Sequence, residues 1–195
     1  MMPKKISISI SSLSKSPKRE GKHESDIIPR VAQFFEDRGY LTRQHVCINL
    51  AWGRVLSEID LVAIKNEEIT IIEVKSKRDK VMRARKQLEK MRALSDYCFI
   101  ATETPIQGFQ FRVDTGILLV KGDNRVLVMR EATRLNDPVT KDTLLRLKKE
   151  CLRDLSEETG ISSKMSKNKI ANLLLDKIDP LELKKKVTAT VFQSG

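Results

Sequence analysis

Two short apolar runs in the first half of the chain carry acids where a buried strand should be wholly apolar. Residues 56–64 read LSEIDLVAI and residues 69–75 read ITIIEVK, separated by the polar turn Lys65-Asn66-Glu67-Glu68. A strand alternates its side chains between two faces, so Glu58 shares a face with Asp60, and Glu73 shares one with Lys75. So short a connection predicts an antiparallel hairpin. Asp60 and Glu73 then converge beside a lysine at the end of a sheet.

Elsewhere the pattern predicts a helix from Asp26, with Asp26 as N-cap and Pro29 in the first turn. Its stripe is Ile27, Ile28, Val31, Phe34 and Phe35, and it ends at Gly39. Residues 43–50 alternate, with Val46, Ile48 and Leu50 facing one way, which predicts a half-buried strand. Val81, Ala84, Leu88, Met91, Leu94 and Cys98 mark one stripe of a helix over residues 79–97, followed by a strand over 98–102. Residues 105–114 read as a loop, and 116–120 with 125–129 as a second hairpin around Gly122-Asp123-Asn124. This order, α-β-β-β-α-β plus a hairpin, predicts an α/β domain with a central mixed sheet flanked by helices. A helix carrying Leu144, Leu147, Cys151, Leu152 and Leu155 should stop near Gly160. A second, capped by Ser166, should run through Ile170, Leu173, Leu174 and Ile178 and stop at Pro180.

These elements divide the chain into a Lys- and Ser-rich basic arm (1–22), a domain (23–135), a small helical region (136–186) and a tail (187–195). In the arm, Ile6, Ile8 and Ile10 alternate with serines and leave open an added edge strand. Lys184-Lys185-Lys186 reads as solvated. An apolar fraction of 40% in 195 residues is ordinary for a folded domain, but a formal charge of +11 is not. Residues 1–22 hold six Lys/Arg against one acid, and residues 75–92 hold nine against two. Concentrated positive charge beside the acidic hairpin favours a polyanionic partner over a merely solubilising surface. No apolar run approaches the roughly 18 residues of a membrane span, and no secretory signal is expected. Cys47, Cys98 and Cys151 are too few and too scattered for a disulfide framework or a zinc site, and the expected location is cytoplasmic. Cys47 and Cys98 are expected in the core.

Phosphodiester hydrolysis needs a hard cation, a water placed in line and stabilisation of the developing charge. Magnesium takes oxygen ligands and keeps several waters, so two carboxylates and a backbone carbonyl suffice from the protein. Asp60, Glu73 and the carbonyl of Val74 are the candidate ligands, with manganese as a substitute metal. Lys75 would orient or deprotonate the water, or neutralise the phosphate. The alternative is a structural ion pair, but burying two carboxylates without a metal would be costly. Gln87 shares a helix face with Lys80, Arg83 and Lys90, either solvent-exposed or facing DNA. His23 and His45 have no metal-ligand spacing, and Trp52 sits by Gly53-Arg54 in an expected loop.

An acid on one strand followed by Glu-x-Lys on the next, here Asp60, Glu73 and Lys75, resembles the PD-(D/E)XK nuclease superfamily. Residues 73–90, from EVKSK through Asp79-Lys80-Val81 to Gln87-Leu88-Glu89-Lys90, look like archaeal Holliday-junction resolvases. Residues 96–101 (DYCFIA), 115–120 (TGILLV) and 130–132 (REA) are more similar to the bacterial MmcB-like DNA-repair family. Together these cover roughly residues 26–132, the size of one domain. Ile59 stands where proline is frequent before the acid. The resemblance implies a restriction-endonuclease-like core, a catalytic role for Gln87 on the helix after the motif, and a further acid at the metal, for which Glu24, Glu36 and Glu58 stay open. It implies a magnesium-dependent DNA endonuclease of repair or recombination, selective for branched or damaged DNA. In-line attack by water would leave a 5′-phosphate, and a homodimer would cut two strands. Arg54, Lys77, Arg78, Arg83, Arg85 and Lys86 would hold the DNA backbone. A non-catalytic DNA-binding protein with the same fold and an RNA-processing nuclease are the alternatives. The C-terminal helices, with the Ser- and Lys-rich stretch 162–169 between them, faintly resemble SAP-like DNA-binding modules; a packing or dimer element is an equal expectation.

Overall fold

Among the described residues, six strands form one sheet in sequence order: β1 (Leu41–Trp52), β2 (Val55–Lys65), β3 (Glu68–Lys75), β4 (Tyr97–Thr102), β5 (Gly116–Val120) and β6 (Val126–Arg130). The helices are α1 (Ile28–Glu36), α2 (Val81–Met91), α3 (Lys141–Arg146), α4 (Lys149–Glu158), α5 (Lys167–Lys177) and α6 (Pro180–Phe192), with a 3-10 turn at Arg92–Leu94. This computed structural model describes residues 26–52, 55–77, 81–106, 111–123 and 125–192. The N-terminal arm, His23, Glu24, Gly53, Arg54, Arg78 and Lys80 lie outside the described residues. No helix among the described residues is long and apolar enough to cross a membrane.

The sheet is mixed: β2 pairs antiparallel with β3, β3 with β4 and β4 with β5 parallel, and β5 with β6 antiparallel. The protein is therefore α/β with a central mixed sheet flanked by helices. The β2–β3 hairpin forms on Asn66 and Glu67, both left-handed at φ 53° and 65°. That pair of positive φ values matches the right-handed twist of the flanking strands. From β3 the chain crosses through α2 to parallel β4, as parallel neighbours require. The start of β4 is pinned to β3, because Asp96 donates its N–H to the Ile69 carbonyl and accepts the Ile69 N–H on Oδ2.

The described residues fall into two compact units, one comprising residues up to 46 with 58–136, the other 47–57 with 137–192. In the first, α1 sets Ile27, Ile28, Val31, Ala32 and Phe35 against Leu61, Ala63, Ile72, Val74, Phe99, Ala101, Leu118 and Val120. Phe35 meets the rings of Phe34, Tyr40 and Phe99 edge-on at 5.2–5.6 Å. Strand alternation sends Asp60, Glu73 and Lys75 to the opposite face of the sheet. There α2 packs on β3 and buries Ala84, Leu88 and Met91.

Several expectations are corrected. Ile27, not Asp26, precedes the first helical residue of α1, without a side-chain cap. α2 gives way to the 3-10 turn after Met91, because Asp96 has already joined the chain to β3. Trp52 ends β1 rather than lying in a loop, and Cys47 is only half-buried. The helix expected across 144–155 is two helices, since Leu147 and Lys148 have extended ψ of 146° and 149°. Ser166 caps α5 by accepting the Lys169 N–H. The expected tail is α6, which begins at Pro180 under an Asp179 cap accepting the N–H groups of Leu181 and Glu182. It buries Leu183, Val187, Val191 and Phe192, and Lys184 with them.

Candidate metal and phosphodiester site

β3 is buried along almost its whole length, so the charges at its carboxyl end are the anomaly of the sheet. Pairing of β2 with β3 runs from Lys65↔Glu68 to Leu61↔Ile72. One residue further on, the Asp60 carboxylate accepts the Val74 N–H on Oδ2 at 2.9 Å. The Lys75 ammonium lies 2.7 Å from Glu73 Oε1 and 3.9 Å from Asp60 Oδ2, and donates to the Val74 carbonyl at 3.0 Å. The three oxygens singled out in the sequence therefore face a single point, and the Lys75 ammonium stands at it. Asp60, Glu73 and Lys75 are 5%, 3% and 6% exposed.

The chemistry of this donor set fits a hard divalent cation. Two carboxylates and a carbonyl are all-oxygen ligands, and the cluster's formal charges sum to −1, a balance that is expensive to bury without further positive charge. Among the described residues no group of three or more His, Cys, Asp or Glu gathers as a metal set, so Glu36 and Glu58 do not join Asp60 and Glu73. Glu36 accepts a hydrogen bond from Thr42. Glu58 lies 3.6 Å from Nδ1 of His45, a residue held at φ 50° in β1.

Gln87 lies on α2, the helix that packs on β3, and its Oε1 is buried with no hydrogen-bond partner among the described residues. An amide oxygen left so costs about 1–3 kcal/mol unless a water or ligand completes it. Arg83, Arg85 and Lys86 are exposed on α2, and Lys77 is exposed just beyond β3.

Two features escaped the sequence. A groove of about 450 Å³ at the carboxyl ends of the parallel strands β3, β4 and β5 is lined by Lys77, Glu103, Pro105, Leu119, Lys121 and Asp123. Lys121 directly follows β5, and such strand ends are where open α/β sheets gather ligands. The second is a two-point ion pair, Arg92 Nη1 to Asp114 Oδ1 at 2.8 Å and Nη2 to Oδ2 at 2.6 Å. Its hydrogen bonds hold the Asp114 carboxyl below the usual aspartate range.

No curated protein matches the sequence. Among solved structures, SPO1766 from Silicibacter pomeroyi, a protein of unknown function, is 16% identical with a TM-score of 0.44 over 74% of this chain and 94% of its own. VC1899 from Vibrio cholerae is 14% identical with a TM-score of 0.35 over 87% of this chain and 34% of its own. AF1548, also of unknown function, is 18% identical with a TM-score of 0.37 over 83% of this chain and 97% of its own. The family model for bacteriophage P4 protein cII matches residues 17–194, and the chain belongs to that family.

Proposed function

We propose that this protein is a magnesium-dependent DNA endonuclease of the PD-(D/E)XK kind, cytoplasmic and acting on branched or damaged DNA in repair or recombination. The observation that carries this reading is the convergence of Asp60 Oδ2, Glu73 Oε1 and the Val74 carbonyl on one buried point. Those groups would hold the cation, and manganese would substitute. A bound cation would polarise the phosphate and lower the pKa of the attacking water. Lys75, on a flexible four-carbon stem, would exchange its present contacts for a phosphate oxygen or the water. Gln87 would spend its unpartnered oxygen on that water. Lys77 and Lys121, on the groove at the strand ends, and Arg83, Arg85 and Lys86 on α2 would bind backbone phosphates, so affinity should fall steeply with salt.

A second reading, a DNA-binding protein that does not cut, draws on the same cluster, because the Lys75 ammonium already neutralises part of it without a metal. The test compares wild type with Asp60→Ala and Lys75→Ala on labelled single-stranded, duplex, flap and four-way-junction DNA, with magnesium, manganese or EDTA and with RNA as competitor. Metal-dependent cutting reduced at least about a hundredfold by either substitution is expected. Tight binding without cutting of any substrate would replace the nuclease by the second reading, and preferential capture by RNA would redirect it to RNA processing.

A further inference from the structure

The groove at the carboxyl ends of β3, β4 and β5 opens on the same face of the sheet as the charged cluster. Lys75 pairs with Thr102, and Thr102 with Leu119, so the three make one row across the sheet. Paired residues of neighbouring strands point to the same face. Val74, Ala101 and Leu118, each one residue earlier, pack toward α1, so Lys75, Thr102 and Leu119 face away from it together with Glu73. Two strand spacings put Leu119 about 10 Å from Lys75 along that row. A nucleotide spans a comparable distance from its phosphate to its base.

The wall of the groove is fixed by local bonds. Thr102 Oγ1 donates to the Thr104 carbonyl and accepts the Thr104 N–H, both at 3.2 Å, which turns the chain into exposed Pro105. Glu103 accepts the Lys77 N–H on Oε2 at 3.2 Å. A carboxylate offers about four lone-pair sites, so Glu103 can accept further bonds. Asp123, the other acid of the groove, is engaged by the Arg125 guanidinium. Lys77 and Lys121 line the groove and are exposed. Its volume of about 450 Å³ has room for one nucleotide, but not for a base pair with two backbones.

We propose that this groove receives one unpaired nucleotide of a DNA strand, beside the phosphate held at the Asp60–Glu73 cluster, and selects a base that carries an exocyclic amino group. The inference rests on the proposed function for the position of that phosphate. Leu119 and Pro105 cover the face of the base, as apolar side chains do for bases taken out of a stack. Lys77 and Lys121 bind the flanking phosphates. Glu103 accepts from the N4 amino group of cytosine, whereas thymine presents an oxygen there, which a carboxylate repels.

The test is fluorescence anisotropy of the full chain with labelled short oligodeoxycytidine and oligothymidine in EDTA, with circular dichroism melts as a control for folding and magnesium-dependent cleavage followed separately. Wild type should bind the cytidine strand about fivefold or more tighter. Glu103→Gln should erase or reverse that ratio, because an amide presents a donor as well as an acceptor. Lys121→Ala should weaken both strands alike, keep the ratio and lower the salt slope by about one. Equal binding of the two strands by wild type, a preference that survives Glu103→Gln, or binding unmoved by Lys121→Ala would overturn the proposal. Cutting without the preference would overturn the groove alone, and the preference without cutting would overturn the nuclease reading alone.

Discussion

The Asp60 carboxylate accepts the Val74 backbone N–H at 2.9 Å, so one side chain both closes the end of the β2–β3 pairing and supplies an oxygen to the charged cluster. The two roles separate by substitution. Asn keeps an acceptor for the N–H but loses the charge, and Ala loses both. Asp60→Ala should lower the unfolding free energy by about 1–3 kcal/mol and Asp60→Asn by well under half of that. On the proposed function both should abolish cutting, as urea titrations beside cleavage assays would read.

Lys75→Met leaves two carboxylates and a carbonyl facing one another in a buried site. Removing one partner from such a cluster should cost about 3 kcal/mol. Magnesium or manganese should restore much of it, raising the melting temperature of the variant more than that of wild type, where the ammonium competes for the same oxygens. A variant whose melting is indifferent to divalent ions would mark the cluster as purely structural.

Arg92 is 3% exposed and grips Asp114 with two hydrogen bonds. The folded pKa of Asp114 lies below its unfolded value, chiefly through those bonds. The pair's contribution is therefore complete above the ordinary aspartate range and declines as pH falls below about 4. Asp114→Asn should flatten the acid limb of stability against pH while changing the neutral limb less than Arg92→Ala does. Urea midpoints from neutral pH down into that range would show it.

Gly116 pairs with Phe99 across β4 and β5, and a Cβ at that position would run into the body of the Phe99 ring. That ring packs edge-on against Phe35, so it cannot yield without disturbing the core under α1. Gly116→Ala should cost about 1–3 kcal/mol, read as a lower denaturation midpoint with an unchanged m-value.

Much of this was legible in the sequence because it depends on near neighbours. Asn66 favours the left-handed turn that joins β2 to β3, Ser166 caps α5, and Gly160 adopts φ 69° where the preceding helix ends. α6 was hidden by its own composition. Lys184-Lys185-Lys186 looks like a solvated tail, yet Leu183 and Val187 lie four apart, and Asp179-Pro180 is a sound helix start. The break between α3 and α4 left no mark either, because the apolar stripe continues across Leu147. Arg92 and Asp114 stand 22 positions apart, with no local pattern to join them.

The sequence by itself determined most of the elements, α6 and the break between α3 and α4 excepted, and placed Asp60, Glu73 and Lys75 on strands, since turns, caps and alternation act over a few residues. Tertiary structure alone decided that their oxygens, with the Val74 carbonyl, meet at the Lys75 ammonium, that Glu58 lies beside His45 instead, and that β6 is the last strand of the sheet among the described residues. Those outcomes depend on strand order and register, which are set by burying the faces of α1 and α2 against the sheet and not by any short stretch of chain.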